Sequence, residues 1–481
     1  MLQSGALKLK KWILGGFIIA VALVLYNFDY NSSGNISFKN IRYVVINEKV
    51  HSFQSIDHFH EYIVNMKNSG FNTILFTVPW NAVEPSEGNF DFSGYRAKLD
   101  LIEDEGLDLL IVLDGSAIPN WYKNEHRDAL ATDFDSSPYE VVSFQKPEKI
   151  YQFYDEAAKW ISANHDVLAI EPAFQKGLEV KYYQEFYKWQ DYNDYSNQKF
   201  VNFLKNKYET IDALNEDWKT SFSKWEDVGL KRIDYNAEDQ ADKDKHYLVT
   251  QTFREQELIS FTQGALNIVS KYNNTFLHFD EPYYTMKDAI NINAIEKLAS
   301  KTDLVVIDLY ANNRASSNHL TKYIEERISK PTLVEHRYAE NPAAQFNLYD
   351  LLIPLFEPKN LAGVGLYDLV KNFSTQDWPM WEYSPFKFED RSVAIYLSME
   401  DSYLYHGSSK VTGMDDVKRI YHLLDRAGIK ITFLDQERVL SRNLDKFDVI
   451  FSPYPDYADD EVARRLRESG KLVTINGISN M

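Results

Sequence analysis

The sequence predicts an α/β fold. We expect a (β/α)8 TIM barrel followed by a smaller α/β domain of the Rossmann or flavodoxin-like kind, with a transmembrane helix preceding both. From about Asn40 onward, short β-rich runs alternate with long helical stretches, which is typical of α/β proteins. Most of these runs are continuously apolar, as strands buried on both faces of a parallel sheet require. One lysine-flanked apolar run stands apart near the N-terminus.

Eight candidate strands support a barrel over residues 40–375. They are Ile41–Ile46, Thr73–Val78, Leu109–Leu113, Val167–Ile170, Thr275–Phe279, Leu304–Leu309, Thr332–Val334 and Gly363–Leu366. Helical patterns separate them and end at glycines such as Gly70 and Gly106. Eight such units in about 335 residues describe a (β/α)8 barrel with insertions. The largest insertion, about residues 182–273, lies between strands four and five.

A second, smaller α/β region is predicted at residues 391–481, after a linker at residues 376–390. Its candidate elements are the strands Val393–Leu397, Ile431–Leu434, Val449–Phe451 and Leu472–Ile475 and a helix from Asp415 to Ala427. The chain stops after the last of these strands with no closing helix, so this domain is expected to be partial.

The N-terminal residues predict a membrane anchor. Three lysines precede an uncharged run from Trp12 to Phe28, which as a helix would reach roughly 25 Å. The basic flank predicts a cytoplasmic N-terminus and an exported remainder. Residues 1–28 are therefore expected to be an uncleaved signal anchor of a single-pass cell-membrane protein, and residues 29–39 a tether. A cleaved signal peptide is the alternative, because Ala20-Val21-Ala22 has the small-x-small form, but cutting there would leave a short apolar region.

Composition excludes several functions. With 52 basic and 71 acidic residues the formal net charge is -19, so phosphate backbones would be repelled and no nucleic-acid partner is expected. The absence of cysteine excludes disulfides, thiolate metal sites and cysteine nucleophiles. The 15% aromatic content suits sugar-binding clefts and large cores alike.

Candidate catalytic acids lie where barrel strands end, because reactive groups of such barrels gather at the carboxyl end of the sheet. Glu335 directly follows strand seven, with Arg337 nearby. Glu171 ends strand four, and Glu179 follows Gly177 in the same loop; Glu179 has the better position for reaching the barrel mouth. Acids on strands four and seven would face each other, as two-carboxylate glycoside chemistry requires.

Aromatic rings are the candidate substrate contacts. We expect Trp80, Trp121, Tyr310 and Tyr367 to surround the cleft, with Tyr310 also bonding Glu335. Core packing is the alternative for each ring. The two histidines near strand ends, His278 and His336, lack a matching set of ligands in sequence and are interpreted as hydrogen-bonded structural residues. No metal and no cofactor are therefore expected.

Four segments carry a family resemblance. Residues 70–94, with Trp80-Asn81-Ala82-Val83-Glu84-Pro85-Ser86-Glu87-Gly88-Asn89-Phe90-Asp91-Phe92, resemble the W-x-x-x-E-P-x-x-G-x-F-D-F stretch of glycoside hydrolase family 42. Pro119-Asn120-Trp121 resembles the P-x-W of that family. Residues 200–218 resemble its F-x-x-[WF]-L and Y-x-x-I-x-x-L-N-x-x-W segments, and Asp401-Ser402-Tyr403 resembles the start of its second domain.

This resemblance implies a retaining glycosidase acting on β-galactoside-like bonds. It implies that Glu335 is the nucleophile and Glu179 the acid/base. The family places Asn directly before the acid, whereas Leu178 stands here, and Gly177-Leu178-Glu179-Val180-Lys181-Tyr182 is similar to the G-E-[LI]-[RK]-Y segment of β-amylase-like barrels.

The expected function is therefore that of a membrane-anchored retaining glycoside hydrolase acting on a carbohydrate substrate, with its catalytic domain outside the cytoplasm. The alternative is a catalytically retired barrel that binds or helps assemble an exported polysaccharide. In relatives the second domain mediates assembly, so a homo-oligomer is an open expectation.

Overall fold

The structure is a computed structural model of all 481 residues. It describes residues 38, 41–47, 51, 53–185, 188–232, 245–279, 292–310, 328, 330–337, 361–366, 389–397, 420–421, 424, 429–452 and 460–474. Within this part of the chain no helix is long and apolar enough to cross a membrane. The predicted anchor, residues 1–28, lies outside the described residues, as does most of the predicted linker at residues 376–390.

The eight predicted barrel strands are all present. They are β1 (Ile41–Ile46), β2 (Thr73–Pro79), β3 (Asp108–Asp114), β6 (Ala169–Ala173), β9 (Phe276–Phe279), β10 (Leu304–Tyr310), β11 (Thr332–Arg337) and β12 (Leu361–Leu366). They form one parallel sheet in the order β6-β3-β2-β1-β12-β11-β10-β9. A parallel bridge between Ile170 and Thr275 joins its two edge strands, β6 and β9. The sheet therefore closes into the (β/α)8 barrel that the sequence predicts.

Amphipathic helices cover the barrel between its strands. They are Ile56–Asn68, Trp80–Val83, Ser93–Asp104, Asn120–Glu125, Glu148–Asn164 and Ile292–Ala299. The helix Ile56–Asn68 illustrates the rule: Ser55 caps its first turn by accepting from the His58 N–H, and Phe59, Ile63 and Met66 bury one face. Such an i, i+4, i+7 apolar row packs a helix onto a sheet.

Two short hairpins and a helical insertion add to the barrel on either side of β6. The hairpins pair β4 (Leu130–Thr132) with β5 (Pro138–Val142) and β7 (Gln184–Glu185) with β8 (Lys188–Trp189). The predicted insertion between strands four and five contains the helices Asp194–Tyr208, Ile211–Trp218 and Lys245–Val269. The last helix has buried residues on most of its surface, so it runs between the insertion and the barrel.

A second parallel sheet follows the barrel. Its strands are β13 (Glu389–Tyr396), β14 (Ile429–Leu434), β15 (Val449–Ser452) and β16 (Leu472–Thr474), in the order β14-β13-β15-β16. The helices Gln436–Ser441 and Asp460–Glu468 accompany it. Ile395 and Phe433 belong to the same apolar cluster as the barrel core, while Ala394 and Leu434 belong to a separate small core. The predicted helix Asp415–Ala427 lies almost wholly outside the described residues.

Candidate active site

Glu335 lies within β11 and is fully buried. Its strand neighbours in register are Asp308 on β10 and Gly365 on β12. The hydroxyl of Tyr43 on β1 donates to Glu335 Oε2 at 2.9 Å, although β12 lies between these two strands. Gly365 permits this contact, because a Cβ on that residue would come within 2.0 Å of the Tyr43 ring. Because Gly365 on β12 has no side chain, Tyr43 on β1 and Glu335 on β11 can bond each other across it.

Glu171 and His278 form a second buried contact inside the barrel. Both side chains are fully buried. The backbone N–H of His278 donates to Glu171 Oε1 at 2.7 Å, and the ring Nδ1 bonds Glu171 Oε2. These bonds join β6 to β9, the two strands at which the barrel closes. The carboxyl of Glu171 is thus bonded inside the barrel. Of the two acids that follow strand four, Glu179 therefore remains the candidate for the acid/base at the barrel mouth.

The two contacts meet in one cluster. His278 Nε2 lies 3.5 Å from Glu335 Oε2. Ligand atoms of His278, Asp308 and Glu335 all lie within 4.8 Å of one another, and all three residues are buried. One imidazole nitrogen and two carboxylate oxygens at that spacing have the composition of a divalent-cation site, and the expected absence of a metal stays a prediction.

Glu179 lies in the loop after β6 and is 1% exposed. The N–H of Val180 donates to the His278 carbonyl at 2.9 Å, so the loop is bonded to the same residue whose ring faces Glu335. The Glu179 carboxyl folds back over Gly177, where an added Cβ would lie 2.1 Å from Oε2. Lys181 Nζ is 3.5 Å from the same oxygen. Leu178, between Gly177 and Glu179, has a φ of 75°, in the left-handed region. This conformation costs a residue with a side chain roughly 1–2 kcal/mol.

The helical insertion anchors this loop through Gln190 and Arg254. The Gln190 side-chain oxygen accepts from Gln175 Nε2 at 2.9 Å and from the Tyr183 N–H at 2.7 Å. The guanidinium of Arg254 donates to the Gln190 carbonyl and lies over the Tyr182 ring, 3.9 Å from its centroid. Tyr182 in turn donates its hydroxyl to the Arg254 carbonyl at 2.6 Å. The loop that carries Glu179 is therefore held at both ends by groups outside the barrel sheet.

The two tryptophans predicted to surround the cleft pack in the core. Trp80 is fully buried and stacks on Phe153 at 5.8 Å, and Trp121 is 9% exposed. Their indole nitrogens donate to Glu84, Trp80 to the carboxylate at 2.6 Å and Trp121 to the carbonyl at 2.9 Å. The Glu84 carboxylate also accepts from the Gly88 N–H at 2.7 Å. The W-x-x-x-E-P-x-x-G pattern thus builds a buried corner, and Trp80 has the core packing that was the alternative to a place at the cleft. A substrate contact by either tryptophan stays a prediction.

The remaining predicted rings are less fully described. Tyr310 ends β10, where its backbone pairs with Arg337 on β11. Tyr367 lies outside the described residues. Tyr43 is a described tyrosine that bonds Glu335. The Tyr310 side chain lies outside the described residues, so its bond to Glu335 stays a prediction.

Sequence reasoning missed Tyr43, Asp308 and the pairing of Glu171 with His278. A usable signal was present, because each is a polar-tipped or ionisable residue inside an otherwise apolar strand: Tyr43 in IRYVVI, Asp308 in LVVIDLY and His278 in FLHF. Buried ionisable groups are rare unless they are paired. Their coincidence in the strands of one closed barrel therefore indicates a shared interior site.

A closed parallel barrel whose fourth and seventh strands lead to glutamates has the architecture of barrel glycosidases. Residues 52–342, more than half of the chain, match the model of glycoside hydrolase family 42, described as β-galactosidase. The chain therefore belongs to glycoside hydrolase family 42, as the sequence resemblance predicted.

Relatives of known sequence agree with this assignment over part of their length. The β-galactosidase LacZ of Heyndrickxia coagulans is 27% identical over 179 residues, which cover 34% of this chain and 26% of that protein. The thermophilic β-amylase of Thermoanaerobacterium thermosulfurigenes is 25% identical over 211 residues, or 38% of each chain. The matches thus span about a quarter of the β-galactosidase and over a third of the β-amylase.

Solved structures share the fold over more of the chain. The cold-adapted β-galactosidase of Rahnella sp. R3 superposes with a TM-score of 0.69 at 15% identity, covering 92% of this chain and 72% of that one. The catalytic domain of the Paenibacillus polymyxa β-amylase gives a TM-score of 0.58 at 14% identity, covering 69% and 93%.

Proposed function

We propose that this protein is a retaining glycoside hydrolase that cleaves β-linked, galactoside-like oligo- or polysaccharides. The observation that carries the proposal is Glu335, a carboxyl on the seventh barrel strand that accepts from Tyr43 and faces His278. A carboxyl that is held at a fixed position by a donor, with an imidazole beside it, has the properties that a nucleophile requires. Family membership and the loop position of Glu179 support this residue as the second carboxyl.

In this mechanism Glu179 protonates the glycosidic oxygen while Glu335 attacks the anomeric carbon. The bond from that carbon to the leaving oxygen breaks as the bond to the Glu335 carboxylate forms. Glu179, now ionised, removes a proton from water, which attacks the anomeric carbon and releases Glu335. The sugar leaves with its original anomeric configuration, and the two carboxyls need a separation of about 5–5.5 Å for this double displacement.

The substrate class follows from the family and its relatives. The matching family model and several relatives are described as β-galactosidases, which supports a β-galactoside-like substrate. A β-amylase and a β-1,2-glucosyltransferase are also among the similar proteins, so starch and β-1,2-glucan belong in a substrate panel beside β-galactosides.

The test is hydrolysis of that panel by the protein from about residue 30 onward, alongside its Glu335→Gln variant. We expect turnover of at least one β-glycoside, lost in the variant, with proton NMR showing that the product first appears as the β-anomer. An α-anomer would indicate single displacement. No turnover of any substrate, with polysaccharide binding equal in both proteins, would overturn the proposal in favour of a binding protein.

The location of the enzyme is a further part of the proposal. The lysine-flanked run at residues 12–28 supports an N-terminal anchor with the barrel outside the cytoplasm. Membrane fractionation of cells expressing the full chain checks this: we expect the protein to resist alkaline carbonate extraction and to be cleaved by protease added outside the cytoplasmic membrane.

A further inference from the structure

His278 lies between two carboxyls inside the barrel. Its Nδ1 bonds Glu171 Oε2, and its Nε2 lies 3.5 Å from Glu335 Oε2. Its backbone is fixed as well, because its N–H donates to Glu171 and its carbonyl accepts from Val180. The ring therefore bonds Glu171 through Nδ1 and faces the proposed nucleophile, Glu335, through Nε2.

The carboxyls of this cluster favour a charged ring, although burial also raises the pKa of the Glu171 carboxyl. Among the described residues, three carboxyls lie around the ring, Glu171 from β6, Asp308 from β10 and Glu335 from β11, and all are fully buried. In the same part of the chain, Tyr43 on β1 is a further titratable group that contacts Glu335. Unbalanced buried carboxylates are costly, and breaking such a pair leaves an uncompensated charge. Burial by itself would lower the pKa of His278, but Glu171 and Glu335 outweigh it and raise that pKa well above its ordinary value.

Both described contacts to the nucleophile reach the same oxygen. Tyr43 donates to Glu335 Oε2, and His278 Nε2 faces Oε2. A donor on one side of the barrel and a ring nitrogen on the other restrain rotation of the carboxyl, and pre-organisation of this kind preserves the geometry of attack. A cation beside the carboxyl also favours its ionised form.

We propose that His278 is a positioning residue for Glu335: its ring, anchored by Glu171, orients the nucleophile. The inference rests on the proposed function, because it concerns the carboxyl that attacks the sugar. It gives Glu171 the role of holding the ring.

The test separates the two ring nitrogens. In His278→Asn the amide nitrogen takes the place of Nδ1 and keeps the contact with Glu171, whereas in His278→Gln it takes the place of Nε2 and faces Glu335. The control is His165→Asn. His165 is likewise a buried histidine whose Nδ1 bonds a glutamate, Glu103 at 2.9 Å, and it precedes β6 at the opposite end of the barrel.

The readout is the rate at which dinitrophenyl 2-deoxy-2-fluoro-β-galactoside labels Glu335, followed by intact mass across a pH series. We expect labelling of His278→Asn to be about 10- to 100-fold slower, the loss that a missing bond to a charged group produces. Its acidic limb should move to higher pH, because the carboxyl loses a neighbouring cation. His278→Gln should recover part of the rate, and His165→Asn should label like the unsubstituted protein.

Several outcomes would overturn the inference. His278→Asn could be labelled at the original rate with an unchanged pH profile and lose only thermal stability, as in His165→Asn. That result would assign the ring a purely structural role. Labelling that requires added Zn²⁺ or Mg²⁺ and stops in EDTA would show that the ring binds a metal. If the unsubstituted protein is neither labelled nor active on any panel substrate, the proposed function fails first, and this inference fails with it.

Discussion

The two candidate catalytic glutamates are held in different ways. Glu335 lies within a regular strand, and its described partners, Tyr43 and His278, come from two other strands of the same sheet. Glu179 lies in a loop, folds back over Gly177, and follows a leucine in the left-handed conformation. Its loop is held by Gln190 and by Arg254 from the helical insertion.

The two glutamates should therefore respond to different kinds of substitution in their surroundings. A carboxyl on a sheet is positioned by the fold, so changes around Glu335 act mainly through its charge and hydrogen bonds. A carboxyl on a loop is positioned by backbone conformation and by a few anchors, so changes around Glu179 act mainly through geometry. The two roles in a retaining mechanism differ in the same way. The nucleophile depends on its charge because it must stay ionised, and the acid depends on its position because it must reach the leaving oxygen.

The largest expected effect comes from removing the carboxyls one at a time. Glu335→Ala should lower kcat by about 10^4-fold or more on every substrate, because no glycosyl-enzyme can form. Glu179→Ala should lower kcat/KM by about 10^2- to 10^4-fold on alkyl glycosides, but hardly at all on a dinitrophenyl glycoside, whose leaving group needs no proton. Steady-state kinetics on the two substrates measures both.

Azide identifies the roles independently. In Glu335→Ala it should replace the nucleophile and give the α-glycosyl azide, and in Glu179→Ala it should attack the glycosyl-enzyme and give the β-glycosyl azide. Equal losses on both substrates in Glu179→Ala would contradict its assignment as the acid.

A smaller, purely geometric effect is expected at Gly177. In Gly177→Ala the new Cβ would come within 2.1 Å of Glu179 Oε2, so the carboxyl must move. A displacement of about 1 Å in a catalytic group costs on the order of 10^2-fold, and we expect about that loss on alkyl glycosides with little change in melting temperature. Gly94→Ala is the matched control, because its Cβ meets nothing within 4 Å. Activity of Gly177→Ala equal to that of Gly94→Ala would show that the acid is not held over Gly177.

The smallest effect concerns the pH dependence of stability beside the loop anchor. Burial raises the pKa of Asp191, which follows Gln190, from 3.8 to about 6. The folded state therefore binds this proton more tightly, so its contribution to stability falls as pH rises from about 4 to about 6, by up to about 3 kcal/mol.

Urea unfolding of Asp191→Asn over that pH range should lack this decline, since the side chain no longer titrates. The exposed residue Asp104 supplies the control variant Asp104→Asn, which should keep the decline. An identical pH profile in Asp191→Asn and the unsubstituted protein would show that another group titrates.

Most of the barrel could be predicted from sequence because its strands are continuous apolar runs. All eight runs proved to be strands, several extended by one to three residues, as in Thr332–Arg337 against the predicted Thr332–Val334. Whether the second sheet is a separate domain stays a prediction, and its apolar residues divide between the barrel core and a small core of its own. The aromatic rings were harder to predict, because a tryptophan pattern does not reveal whether its indole faces a cleft or, like Trp80, a buried carboxylate.

The sequence by itself determined the barrel fold and the positions of its eight strands along the chain, and it nominated the glutamates at strands four and seven, whose roles stay a prediction. These are set by local periodicity and by where each apolar run ends. Only the tertiary structure decided that Tyr43 reaches Glu335 across Gly365, and that His278 links Glu171 to Glu335. The Tyr43–Glu335 and Glu171–His278 bonds join residues that are 292 and 107 positions apart in the chain. They depend on the closure and stagger of the barrel, which no local pattern records.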